Sequence, residues 1–260
     1  YLANTFNQTF DPQISVSSGY TTIYLQTGYV RNTGLELSLG YGHTWNNNFR
    51  WDSNFTLSHN KNKIKELVRD DVHPETGELI NKDRLDVGGL GKARFILKEG
   101  GTLGDLYTQS DLKRDDNGMV DIDPTGIVAI ENNLPDIKLG SVFPKANLAW
   151  SNHFSWKGIS LSALFTARIG GIVYSATEAA MDQYGVSERS ALARDNGGVL
   201  VNNRTLVDAQ NYYTTIGSES GLPQYYTYNA TNVRLQEASI GYLIPRKWLG
   251  NLCDIQVSVI

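Results

Sequence analysis

Between Leu35 and Gly42 the chain alternates, with Leu35, Leu37, Leu39 and Tyr41 in one phase and Glu36, Ser38, Gly40 and Gly42 in the other. After a polar turn the alternation resumes, with Phe49, Trp51, Phe55 and Leu57 set against Arg50, Asp52, Asn54, Thr56 and Ser58. A period of two places successive side chains on opposite faces of a strand, so each stretch has one apolar and one polar face. The same pattern predicts strands over about residues 29–42, 49–60, 143–155, 159–170, 230–243 and 252–260. An apolar face can be buried against a second sheet in a soluble sandwich, or pressed into lipid in a membrane barrel.

The connections distinguish the two. GHTWNNN, WKG and the LIPRKWLGN corner are short, whereas the segments 61–142 and 171–229 are far longer than the usual handful of residues. In an up-and-down sheet every second connection emerges at the same edge, so short links gather at one rim and long ones at the other. That asymmetry matches an outer-membrane barrel with tight periplasmic turns and long extracellular loops. Trp45, Trp156 and Trp248 fall in the short links, with Trp51 and Trp150 close by. Together with Tyr41, Phe49, Phe154 and Tyr242 they would form an aromatic girdle at the inner membrane–water boundary. Soluble hairpins also recruit aromatics for cross-strand packing, so the girdle alone does not decide.

Charges follow the same division. Glu36, Arg50, Asp52, Arg168 and Asp254 lie opposite the apolar phase of their strands, as water in a lumen requires. In TNVRLQEASIGYLIP, Ala238, Ile240 and Tyr242 suit lipid and Glu237 and Ser239 the lumen. Arg234 and Gln236 then fall on the outer phase, near the long-loop rim. There, either long side chains reach the headgroups or a bulge shifts the register.

The mean hydropathy of −0.32 does not argue against a membrane barrel, because only alternate residues need be apolar. With no run of eighteen apolar residues, a transmembrane helix is excluded. A net charge of −4 and the absence of a basic cluster on an aromatic platform argue against nucleic acid as a partner. The single cysteine, Cys253, has no disulfide or metal companion. No leader is visible at YLANTFNQTF and the chain closes on DIQVSVI in mid-strand, so both ends read as cut from something longer.

Specific motifs point further. Asn32-Thr-Gly34-Leu-Glu36 and the strand after it, FRWDSNFTLSHNKNKIKEL, LGDLY ahead of RDDNG, and Gly140-Ser-Val-Phe-Pro144-Lys145 are distributed along the chain. With Gly170-Gly171 before Ile-Val-Tyr174, and NVRLQEASIGYLIPRKWL, they resemble the C-terminal barrel of SusC/RagA-type TonB-dependent outer-membrane transporters. The resemblance implies an all-β fold, an antiparallel transmembrane β-barrel segment belonging to a large barrel of about 22 strands. Residues 1–260 would be its C-terminal portion, with the plug domain and final strands not present. It also implies active import of nutrient oligomers, oligosaccharide or peptide, across the outer membrane of a Gram-negative bacterium. Energy would come through TonB, acting on the absent N-terminal region, with a SusD-like surface lipoprotein as lid.

Candidate chemistry within the chain is sparse. The acidic run from Asp111 to Asp123 suggests calcium, but aligning Gly118 with the EF-hand glycine puts Lys113 and Pro124 where carboxylates are needed. Asp-Asn-Gly more simply makes a tight turn. His43, His59, His73 and His153 lack zinc-site spacing. Gly88-Gly-Leu-Gly91-Lys92 departs from a phosphate loop at Asp86 and Ala93. The triplets at Asn54 and Asn229 would matter only in a eukaryotic secretory route. Carboxylates concentrate in the long segments with no scaffold for hydrolysis, so neither an enzyme, a metal nor a cofactor is expected. The second long segment carries Tyr184, Tyr212, Tyr213, Tyr225, Tyr226 and Tyr228 among amides and arginines, a composition able to stack on a sugar or a peptide, or to pack the loop itself. The expected lumen-facing set is Glu36, Arg50, Asp52, Arg168, Glu237 and Asp254. Two rival readings are a secreted β-rich glycan-binding module and a cell-surface polysaccharide hydrolase.

Overall fold

The computed structural model describes residues 1–10, 25–45, 48–72, 77 and 79–260; His73 lies outside them. Seven strands form one antiparallel wall in chain order: β1 (Leu2–Phe10), β2 (Leu25–Thr44), β3 (Arg50–Glu66), β4 (Ala146–Trp156), β5 (Ile159–Ile169), β6 (Asn232–Ile244) and β7 (Ile255–Val259). Six of the seven match the strands expected from alternation, and β1 is an addition. Because Phe10 pairs with Leu25 and Leu2 with Thr33, the β1–β2 link shares its rim with the two long excursions. The β2–β3, β4–β5 and β6–β7 links share the other.

The β4–β5 link shows why the short rim is tight. Trp156 pairs with Ile159, leaving two residues to turn the chain. Lys157 and Gly158 both take positive φ, 47° and 90°, the twist that suits adjacent antiparallel strands and that glycine adopts without penalty.

Register fixes the faces. Leu37, Leu57, Leu148, Ala167 and Val233 form one cross-strand row, and Leu39, Phe55, Trp150, Phe165 and Leu235 the next. Leu35, Leu39, Leu235 and Ile240 are exposed, and among the described residues no second layer covers this face. A sandwich would bury it. Expectation and structure meet at Arg234 by the second of the two routes. A bulge between Leu235 and Glu237, opposite the step from Phe165 to Leu164, turns Arg234 onto the polar face while Leu235 and Ile240 both stay on the apolar one.

The packed cores lie at the long rim. Val30 and Ile64, from the far ends of β2 and β3, meet Leu67, Val68, Leu85 and Leu97 of the first excursion. That excursion contains a four-stranded sheet of Arg84–Leu90, Ala93–Lys98, Asp105–Thr108 and Ile137–Ser141. The second carries helices α1 (Ala176–Gln183), α2 (Glu188–Asp195) and α3 (Ala209–Gly217). Each helix is started by a side chain that accepts an orphan backbone N–H: Ser175 from Glu178, Ser187 from Ser190 and Asp208 from Asn211. Leu112 and Val128 of the first excursion share one core with Ala179, Val207, Ile216, Leu222 and Tyr226 of the second. The two long loops are therefore one folded cap rather than separate excursions.

Candidate functional site

The polar face of the wall and the cap above it form the candidate site. Cross-strand rows on that face run Gly42, Asp52, His153, Ser162 and Ser239, then Gly40, Asn54, Ser151, Leu164 and Glu237. Nearer the cap come Ser38, Thr56, Ala149, Thr166 and Arg234, then Glu36, Ser58, Asn147, Arg168 and Asn232. The face is concave, with a hollow of about 660 Å³ lined by Glu36, Arg168, Arg234 and Gln236. A second, of about 530 Å³, is lined by Asp52, His153, Ser162 and Glu237.

Several of these side chains are already partnered. The Arg50 guanidinium grips Asp52 through two hydrogen bonds, 2.6 and 2.7 Å. His153 Nδ1 and Ser162 Oγ are 2.8 Å apart. Arg168 Nη2 donates to the carbonyl of Val142 at 2.5 Å, tying the wall to the GSVFPK segment where the cap begins. The tie needs Gly171, whose φ is +82° and at which a Cβ would lie 3.1 Å from that same carbonyl. Glu36, Arg50, Asp52, Arg168 and Glu237 thus share one face. Asp254 sits in the β6–β7 link, where both of its oxygens accept from Arg246 at 2.5 Å; that contact holds its carboxyl below the usual carboxylate range.

The cap is held by a buried acid. Asp182, 1 % exposed, accepts from Ser187 Oγ at 2.5 Å and from the Tyr226 hydroxyl at 3.0 Å, and pairs with Arg189. The Arg189 guanidinium lies 4.9 Å from the centre of the Tyr226 ring. Burial first, with the Asp182 charge behind it, pushes the Tyr226 hydroxyl upward. Sequence reasoning missed this cluster. The local signal was Ser175-Ala-Thr-Glu178, the start of a capped helix that carries Asp182 on its inner side.

The tyrosines divide. Tyr226 has no exposed surface and Tyr213 is nearly as buried, with Tyr212 and Tyr225 packed against the same core. The rings of Tyr226 and Tyr213 fill the cap interior, the packing role that long ordered loops require, while Tyr213 also lines a small hollow beside Tyr184. Tyr184 is 77 % exposed and Tyr228 is exposed too.

The acidic run makes two successive tight turns. One Asp115 oxygen accepts the N–H of Asn117 and of Met119, and one Asp123 oxygen those of Thr125 and Ile127. These contacts, with the Thr125 hydroxyl foremost, lower the Asp123 pKa. Among the described residues no three of His, Cys, Asp and Glu gather as metal ligands would. The Gly88 loop is organised by Asp86, which accepts from the Gly88 N–H at 2.9 Å and pairs with Arg94.

A single antiparallel layer, apolar and uncovered on one side and polar on the other, with all its long connections at one rim, is a segment of a transmembrane β-barrel wall. No family model matches the chain. TonB-dependent receptor P3 of Formosa agariphila is 24 % identical over 274 residues, which cover 96 % of this chain and 25 % of that protein. TonB-dependent receptor P26 of the same organism is 27 % identical over 190 residues, covering 67 % of this chain and 18 % of that one. Among solved structures, the RagAB peptide transporter superposes with a TM-score of 0.68 at 18 % identity, over 99 % of this chain and 29 % of its own. The RagAB peptide importer in its 'closed-closed' state gives 0.65 at 17 % identity, over 100 % and 29 %. The similarity to SusC/RagA-type TonB-dependent transporters read from the motifs is thus met by sequence relatives and by fold alike. The chain spans only a quarter of the length of the first of those relatives.

Proposed function

We propose that the chain contributes wall and extracellular cap to an outer-membrane transporter that imports nutrient oligomers, oligosaccharide or peptide, with energy delivered through TonB. The supporting observation is the uncovered apolar face joined to a folded cap at one rim, in a chain similar to named TonB-dependent receptors. In this reading the polar face, carrying Glu36, Arg50, Asp52, Arg168 and Glu237, lines the lumen, with Asp254 at its periplasmic end. Cargo would be held at several points by hydrogen bonds and exposed aromatic surface, with Tyr184 and Tyr228 the accessible rings of the cap. A SusD-like lipoprotein would close over that surface, as the resemblance to SusC/RagA-type transporters implies. No bond is made or broken by residues of this chain.

The test is growth of the host on defined oligomers with the full-length gene intact or deleted, alongside outer-membrane fractionation and gel mobility before and after boiling. Import lost on deletion and on loss of TonB, together with heat-modifiable mobility, is the expected result. A protein found in the aqueous fraction with unchanged mobility would refute it.

A further inference from the structure

The long-rim ends of β2 and β3 carry a charge arrangement that import does not explain. Beyond the last apolar row, Leu37 with Leu57, the register continues outward as Leu35 with His59, Thr33 with Lys61 and Arg31 with Lys63. All lie on the apolar face. The alternate residues Val30, Asn62 and Ile64 are buried beneath the first excursion, so Lys61 and Lys63, both exposed, point away from the lumen. Arg31 and Lys63 are direct cross-strand neighbours, a placement that repels unless an anion lies between them. Among the described residues none of the three basic side chains is within ion-pair distance of a carboxylate.

The Arg31 guanidinium is also braced rather than free. Its Nε donates to Asn4 Oδ1 at 3.0 Å, and its Nη2 to the Tyr29 hydroxyl at 2.5 Å, which itself donates to Asn4 at 3.1 Å. Height completes the picture. The Thr33–Lys61 row lies two residues beyond Leu35, about 7 Å along the strand. From Leu35 to Trp45 is ten residues, which on a strand tilted about 40° span the ~25 Å apolar band of such a wall. The basic groups therefore stand just past the hydrocarbon, at the level of headgroup phosphates.

We infer that Arg31, Lys61 and Lys63 form an outward-facing seat for the phosphate of an anionic lipid in the outer leaflet. The inference rests on the barrel reading above. A phosphate-bearing lipid is favoured over an acidic protein because the seat continues the lipid-facing side of the same two strands, two to four residues beyond Leu35. Its charge complements phosphate, and long flexible stems let Lys61 and Lys63 adjust to a mobile headgroup.

The test uses the full-length protein extracted from the outer membrane, as wild type, as Arg31→Gln/Lys61→Gln/Lys63→Gln, and as Lys82→Gln, which removes a cap lysine instead. Lipid phosphate retained per protein after detergent exchange is measured, and thermal unfolding is followed in phosphatidylglycerol vesicles, in phosphatidylcholine vesicles, and in phosphatidylcholine with added inorganic phosphate. Retained lipid should fall about tenfold in the triple variant and stay unchanged in Lys82→Gln. Stabilisation by phosphatidylglycerol should vanish only in the triple variant. Equal retention in the triple variant, or full stabilisation by inorganic phosphate alone, overturns the inference while leaving the barrel reading intact. A wild-type protein missing from the outer-membrane fraction overturns both.

Discussion

The indole N–H of Trp51 donates to Oδ1 of Asn152 at 3.1 Å, from one strand of the wall to the next. The relationship is reciprocal: Trp150 Nε1 donates to Ser53 Oγ at 2.9 Å, and Ser53 and Asn152 are themselves cross-strand partners. Both polar groups lie on the apolar face, where no water competes for them and an unpaired amide is costly. Trp51→Phe should destabilise the folded wall by about 1–3 kcal/mol, because Asn152 is left without its donor. Trp51→Phe with Asn152→Leu should recover part of that loss. Urea unfolding of the full-length protein in lipid vesicles measures both.

Adjacent positions on β2 offer a sharper contrast. Glu36 belongs to the polar face and Leu37 to the apolar one. Leu37→Arg should cost about 1–2 kcal/mol at its depth between the midplane and the outer edge of the apolar band, and should reduce outer-membrane assembly. Glu36→Arg should assemble normally. Quantifying the heat-modifiable band of each variant decides it, and equal assembly of the two would count against lipid on the Leu37 side.

How much of this was legible follows from period. Leu35 to Tyr41 and Phe49 to Leu57 announce their faces because lipid and water demand strict alternation. The outer ends of β2 and β3 do not, since HNKNKIKE is polar on the side that leaves the bilayer and its one strong apolar residue, Ile64, meets the cap. β1 was missed for a related reason: Leu2, Asn4 and Phe6 share a phase without a clean apolar run. At Arg234 the alternation fails because Gln236 is an extra residue, and a bulge is visible only through its partner strand. The cap was opaque in another way. Its helices are only eight or nine residues long, and what fixes them is a core drawn from two distant segments, which no local window contains.

Removing the buried acid should release the cap without opening the wall. Asp182→Ala leaves the Tyr226 hydroxyl without its acceptor and the partly exposed Arg189 with only Glu178, 3.6 Å away, a loss of about 1–3 kcal/mol. Limited proteolysis should cut between α1 and α2 well before the wild type is cut, while heat-modifiable mobility stays unchanged. Tyr184→Ala, on the exposed surface, should leave proteolysis as it was. Reduced uptake in that variant would place Tyr184 in cargo or lid contact.

The first excursion should be the acid-sensitive part of the cap. Asp136 has a side chain only 6 % exposed, and it accepts from Arg84 at 2.7 and 2.9 Å, with Lys98 Nζ at 2.9 Å. The Arg84 hydrogen bonds foremost, with Lys98 adding to them, hold its carboxyl far below the usual carboxylate range. A group whose folded pKa is depressed stabilises the fold fully above its unfolded value, about 3.9, and that contribution fades as pH falls below it. Protection of the Arg84–Leu90 strand against amide exchange should therefore be flat from pH 7 to about 5 and decline as the medium is acidified toward pH 3. Asp136→Asn should show the weakened protection already at pH 7 and a shallower decline below pH 5, because the ion pair is gone at every pH. A variant with the wild-type profile would mean that Asp136 is not the acid that fastens Arg84 and Lys98 to the start of the Ile137–Ser141 strand.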